Sequence, residues 1–235
     1  MKKEGNVLLT LSGKGQTANT INALLVQLEI SLSEDRSSIA IDHFQYDTLS
    51  SGEEHDTLIL PRPGKLRSDT KPFFSGDGVL AIPHAEPQIL NVASPLVAPI
   101  LKAPPTAYQY NPKDESNGLE KVTTTGSQLA LVSAFQAHNS ARLTVLGSVE
   151  SLEDKWFSAS VKRPSDKKEL KTVNREFAQQ LSAWTFNELG VLKVNKIEHY
   201  LADEPEIVNP SMYRIKKDIV RQAQPNPRQE GQQNN

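Results

Sequence analysis

Leu129-Ala130-Leu131-Val132-Ser133-Ala134-Phe135-Gln136-Ala137-His138-Asn139-Ser140-Ala141-Arg142-Leu143-Thr144-Val145-Leu146-Gly147-Ser148 decides the fold class of this chain. Two apolar runs, Leu129 to Phe135 and Arg142 to Leu146, flank the polar stretch Gln136 to Ala141. Neither run alternates strictly. A strand covered by protein on both faces reads this way, so the stretch predicts two buried strands or a strand pair. Gly147-Ser148 ends the second run.

Working upstream, Val7-Leu8-Leu9-Thr10-Leu11 is a short β-favouring run that breaks at Ser12-Gly13-Lys14-Gly15. Ile21, Leu24, Leu25 and Leu28 then recur at helical spacing, giving strand, turn, helix. Ser38 to Asp42, Asp56 to Leu60 and Gly78 to Ile82 are further short strands between charged or Gly/Pro-containing turns. The segment from Pro83 to Pro112 holds seven prolines, both ends counted, which forbids long helices and favours extended segments at a sheet edge. Only Ala107 to Tyr110 reads as a strand there, and Asn111 to Gly126 reads as a polar surface loop.

Downstream, Val149 to Val161 places Leu152, Trp156, Phe157 and Val161 at helical intervals, with Ser148 or Ser151 as N-cap. Asn174 is expected to cap the clearest helix, whose stripe of Phe177, Leu181, Trp184, Thr185 and Phe186 ends at Gly190. Val191 to Leu201 reads as a strand, and the Gln/Asn/Pro-rich residues from Gln222 read as disordered. Strands alternating with helices give an α/β layer architecture with a partly parallel sheet.

The 235 residues, 37% hydrophobic, suffice for a sizeable core. A net charge of -2 with interspersed signs gives no field for nucleic acid or an anionic membrane surface. No apolar run approaches the roughly 18 residues of a membrane span. The absence of cysteine excludes disulfides, zinc-thiolate sites and thiol nucleophiles.

Five features invite chemistry. Ser12-Gly13-Lys14-Gly15-Gln16-Thr17 sits between strand and helix like a phosphate loop, but it lacks the glycine and lysine spacing of either nucleotide signature and reads as a βα turn. Asp42-His43, His55-Asp56 and His84 carry metal-ligand side chains at no recognised ligand spacing, and Asp42 is better read as a turn-forming carboxylate beside Phe44 and Tyr46. No Gly-x-Ser-x-Gly elbow exists, so Ser148 reads as a cap and not as a nucleophile. Glu53-Glu54 and Glu150, Glu153, Asp154 read as solvated faces. Trp156-Phe157 and Trp184 with Phe186 offer faces that suit sugar rings, yet aromatics at this spacing are more often core.

Taken in order, these elements resemble the luminal region of the DDOST-like (yeast Wbp-like) subunit of oligosaccharyltransferase. The resemblance runs from about Val7 to Val220 and rests on Ile39 to Asp47, the Gly76-Asp77-Gly78-Val79 turn, Leu131 to Arg142, Gly147-Ser148, and Leu181 to Leu192. Within these, Asp42-His43-x-x-Tyr46-Asp47, the stretch from Asn139-x-Ala141-Arg142 to Gly147-Ser148, and Trp184-x-Phe186-x-Glu188-x-Gly190-Val191-Leu192 are each specific.

The resemblance implies a flavodoxin-like or glutamine-amidotransferase-like layered sheet with flanking helices, lacking its N-terminal strands. It implies a luminal domain over 1–202 with a Pro-rich insert at 83–126, the start of a β-rich segment at 203–221, and a disordered tail at 222–235. Family members begin with a signal peptide and further strands and continue to a membrane helix, so the chain is expected to be short at both ends. The implied role is a non-catalytic structural subunit on the luminal side of the endoplasmic reticulum membrane, with no catalytic, cofactor or metal residue to carry over. Its partners would be ribophorin-like, DAD-like and catalytic STT-type subunits. The competing reading is a carbohydrate-binding or hydrolytic module with a cleft lined by Trp156, Trp184 or Tyr108; a third is nucleotide binding by Gly13 to Thr17.

Overall fold

A computed structural model describes residues 5–33, 36–51, 54–63, 77–91, 93–112 and 124–188. The expected strand at 191–201, the segments at 203–221 and 222–235, and most of the 111–126 loop lie outside them. The architecture is α/β with a mixed sheet and few helices.

The strands are β1 (Val7–Thr10), β2 (Ile30–Ser31), β3 (Ile39–Ile41), β4 (Thr57–Pro61), β5 (Val79–Pro83), β6 (Gln88–Leu90), β7 (Val97–Lys102), β8 (Tyr108–Tyr110), β9 (Leu129–Gln136), β10 (Arg142–Leu146), β11 (Ser160–Val161) and β12 (Leu170–Lys171). The α-helices are α1 (Asn19–Gln27), α2 (Asp154–Phe157) and α3 (Asn174–Thr185). Leu129 to Leu146 form the antiparallel hairpin β9–β10, with Phe135 opposite Leu143 and Val132 opposite Leu146. β1 runs parallel to β10, from Val7 opposite Leu143 to Thr10 opposite Leu146. β9 is the spine of the main sheet. Along one edge it pairs with β10 and then with β6, and along the other with β7. The handover from β10 to β6 passes through Gly147, whose N–H donates to Leu131 and whose carbonyl accepts from Glu86. A Cβ at Gly147 would lie 2.4 Å from the Glu86 carbonyl oxygen, so only glycine fits there.

Each face of this sheet carries a helix. Leu9, Leu143, Val145 and Phe135 pack with Leu25 of α1, while Leu8, Ala134 and Leu146 pack with Phe177, Leu181 and Trp184 of α3. Covering on both sides is why β9 and β10 are buried along nearly their whole length and do not alternate. Even the polar residues obey the layering: Thr144 reaches across to Thr185 on α3 through their hydroxyls at 2.6 Å. Arg142 donates to the Trp184 carbonyl near the C-terminus of α3 and lies 4.8 Å from the Trp184 ring centre, where the helix dipole and the ring both favour a cation. Burial lowers the pKa of this guanidinium from its ordinary value.

Several expectations are corrected. β6 and β7 lie in the Pro-rich segment where the sequence favours extended backbone but only Ala107 to Tyr110 reads as a strand. β7 tolerates Pro99 because it pairs on one side only and its register shifts between Pro99 and Leu101. The single helix read from Val149 to Val161 is a 3₁₀ turn (Val149–Leu152), the short α2 and then β11. Ser148 does cap the 3₁₀ turn, accepting from Ser151 N–H at 3.2 Å.

Asn174 is not a cap. It is the first residue of α3, with its side chain turned onto β5. The stripe Phe177, Leu181, Trp184 and Thr185 is buried as expected, but Phe186 is 51% exposed. α3 stops on Asn187 (φ 66°), with Asn187 N–H bonded to Trp184 and Glu188 N–H to Ala183, the paired closure of a left-handed C-terminal cap. Asparagine tolerates that conformation well enough to end the helix before Gly190, which lies outside the described residues.

Candidate functional site

Three polar clusters stand out. The first is the β1–α1 loop. Four of its N–H groups are already engaged: Gly13 donates to His84, Lys14 to the Ser12 hydroxyl, Gly15 to the Ser12 carbonyl and Thr17 to Arg36. Its hydroxyls are engaged too, Ser12 donating to Glu150 and Thr17 to Glu86 at 2.6 Å. Glu86 and Glu150 are both buried. A phosphate cradle needs free donors and positive charge. This loop offers spent donors and two acidic side chains. Its glycines follow the same logic, since a Cβ at Gly13 would lie 2.2 Å from Ile39 Cγ2, whereas Gly15 faces open space. Gly13 serves close packing. Glu150 thereby departs from the expected solvated face, while Glu153 remains exposed in an ion pair with Lys155 at 2.8 Å.

The second cluster is Asp56 and His84, with Oδ2 to Nδ1 at 2.6 Å. Burial pushes the Asp56 carboxyl up, but the hydrogen bond and charge of His84, helped by Thr57, outweigh it, so the carboxyl titrates below its ordinary value. An Asp–His pair orients a base in hydrolases only if a nucleophile meets the other ring nitrogen. The two nearby serines are otherwise committed: Ser12 donates to Glu150, and Ser148 donates to the Pro83 carbonyl.

The third cluster joins residues far apart in the chain. Asp42 closes the turn after β3 as expected, accepting from Phe44 N–H at 2.7 Å and Gln45 N–H at 3.2 Å, with Thr106 donating to its other oxygen. Phe44 is 64% exposed and so is not part of the expected aromatic packing. His43 instead meets His55 and the Tyr108 hydroxyl, and Tyr46 stacks on His55. Among the described residues no three or more of His, Cys, Asp and Glu form a metal-binding group.

The tryptophans take no part in any of these. Trp184 is fully buried and Trp156 is 6% exposed, each within an apolar cluster, so neither lines a sugar-binding cleft. Tyr108 is half-buried against His43. Sequence reasoning missed the engagement of Glu86 and Glu150 and the meeting of His43 with His55. The only local signal for the latter is that one imidazole follows β3 and the other precedes β4, strands that pack side by side.

The family described as "OST48, N-terminal domain" matches residues 1–188. This chain belongs to that family. Among curated relatives, the chain is 30% identical over 220 residues to "Dolichyl-diphosphooligosaccharide--protein glycosyltransferase 48 kDa subunit" of Arabidopsis thaliana, covering 90% of the chain and 47% of the relative. It is 29% identical over 221 residues to the Drosophila melanogaster protein of the same name, with 92% and 47% covered. It is 30% identical over 228 residues to "Dolichyl-diphosphooligosaccharide--protein glycosyltransferase subunit wbp1" of Schizosaccharomyces pombe, with 93% and 47% covered. The chain thus spans about half the length of these relatives. A solved structure titled "mmIFT52 N-terminal domain" superposes with a TM-score of 0.49 at 14% identity, covering 81% of this chain and 68% of that one. Among the described residues no helix is long and apolar enough to cross a membrane.

Proposed function

We propose that this chain is a non-catalytic structural part of the oligosaccharyltransferase complex, which moves oligosaccharide from dolichyl diphosphate to asparagine in the endoplasmic reticulum. The observation that carries this reading is membership of the OST48 N-terminal domain family, with relatives named as 48 kDa and wbp1 subunits of that transferase. The polar chemistry is consistent with it. The loop donors, the nearby serines and both tryptophans are consumed in holding the fold together. In this reading the domain faces the lumen and contacts ribophorin-like, DAD-like and catalytic STT-type subunits. The strand–turn–helix opening β1–α1, the parallel β1–β10 pair and helices on both sheet faces support a flavodoxin-like or glutamine-amidotransferase-like ancestry.

The test is affinity purification of the full-length protein from mildly solubilised membranes, together with its depletion from cells. Recovery of the catalytic subunit and reduced occupancy of glycosylation sites are expected, with no transfer or hydrolysis by the isolated chain. A full-length protein that purifies alone, and whose loss leaves occupancy unchanged, overturns the reading.

A further inference from the structure

His43 and His55 lie twelve residues apart on separate segments, yet their Nδ1 atoms face each other at 2.5 Å. Two imidazole nitrogens gain little from this on their own, because they repel if both are protonated and share a single hydrogen bond if one is. A cation is the partner to which both can give a lone pair. The surroundings hold the rings as ligands are held. The Tyr108 hydroxyl lies 2.9 Å from His43 Nε2, and the tautomer that donates from Nε2 leaves Nδ1 as a lone pair, the outer-partner arrangement of metal-binding histidines. Tyr46 stacks on the His55 ring at 3.9 Å between centroids and fixes its plane. The His55 backbone sits at φ 53°, a left-handed conformation that is strained for a non-glycine residue and that persists only where its surroundings impose it.

We propose that His43 and His55 chelate one borderline divalent transition-metal ion of the Zn²⁺, Ni²⁺ or Cu²⁺ class, with Tyr108 as a positioning residue. Imidazole suits these ions and not Ca²⁺ or Mg²⁺, which take oxygen ligands. Metal–nitrogen bonds of about 2.1 Å place neighbouring ligands about 3.0 Å apart at a right angle and about 3.4 Å apart at a tetrahedral one, so the exposed His43 ring must withdraw by about half an ångström to one ångström to admit the ion. No third acidic or imidazole ligand joins the pair among the described residues, so water completes the shell. The ion ties the turn after β3 to the start of β4.

The test uses the metal-free full chain, titrated calorimetrically with Zn²⁺ and followed by electron paramagnetic resonance with Cu²⁺. One ion per chain is expected, with copper showing coupling to two imidazole nitrogens. His43→Ala and His55→Asn each weaken binding about tenfold or more; asparagine at 55 keeps the left-handed backbone accessible and the protein folded. Tyr108→Phe weakens Zn²⁺ binding several-fold while the copper spectrum still reports two nitrogens. His138→Ala, on the exposed β9–β10 turn, changes nothing. Absence of saturable uptake up to millimolar ion, copper held by a single imidazole, or binding that survives loss of both histidines overturns the proposal.

Discussion

Replacing Asn174 by alanine tests how the outer edge of β5 is closed. β5 pairs with β4 along one edge; along the other Val79 bridges in parallel to Thr172, and the Asn174 amide continues that pairing at Ala81. Its oxygen accepts from Ala81 N–H at 2.9 Å, and its nitrogen donates to the carbonyls of Ala81 at 2.7 Å and Ser151 at 3.1 Å. Ala81 and Asn174 are both buried, so water does not replace the lost partners. Three bonds at a net ~1 kcal/mol each, plus the cost of a sealed and unpaired N–H, put the loss at about 3–5 kcal/mol.

Urea unfolding followed by fluorescence of the two buried tryptophans measures this as a fall in midpoint at unchanged slope. Asn174→Asp sharpens the test. A protonated acid can still donate one bond, whereas an ionised one faces two carbonyls, so its folded-state pKa stands above the ordinary ~3.9. The stability of this variant is therefore fullest below about pH 4 and is lost as pH rises through the folded-state pKa. A loss under about 1 kcal/mol for Asn174→Ala, or a pH-independent gap between Asn174→Asp and the parent, refutes the reasoning.

His84→Ala removes the partner that holds Asp56 below its ordinary pKa. Because that carboxyl is depressed, its contribution is present above the unfolded value of ~3.9 and fades as pH falls through the folded one, so the stability gap to the parent closes in acid. Chemical unfolding at pH 7 and pH 3 checks it. Gly13→Ala meets Ile39 and the His84 carbonyl and destabilises by about 1–3 kcal/mol, whereas Gly15→Ala meets nothing and stays within about 0.5 kcal/mol; neither changes the response to added nucleotide, which is no binding by calorimetry. Trp184→Ala empties the space between α3 and the sheet and costs about 3–5 kcal/mol in urea unfolding followed by circular dichroism, since one of the two fluorophores is gone.

The elements legible in the sequence were those whose local signal and tertiary role agree. β9, β10, β1 with α1, and the stripe of α3 fall where apolar runs and helical spacing put them, because each buries most of what its pattern offers, Val7, Leu24 and Phe186 being left exposed. β7 was hidden by Pro99, which argues against a strand unless one edge is free, and that freedom is a property of the assembled sheet; β6, three residues long and paired on both edges, was too short to show a pattern of its own. The stretch from Val149 to Val161 has apolar residues at helical intervals, yet α2 stops at Phe157 and Val161 pairs with Leu170 in β11–β12. Asn174 carries a capping residue's chemistry but applies it to a strand in a different part of the chain. In the polar clusters, Asp42 was readable because its hydrogen bonds are local. Glu86, Glu150 and the His43–His55 meeting were not, since each partner comes from another segment.

A strand gripped on both flanks has no independent way to open. Amide protons of β9 bonded to β7, β6 and β10 exchange with deuterated solvent only when several neighbours part together, so theirs should be the last signals to fade. That makes β9 an internal clock. A binding partner that merely covers α1 or α3 slows exchange locally, whereas one that stabilises the whole body lengthens the lifetime of those innermost protons.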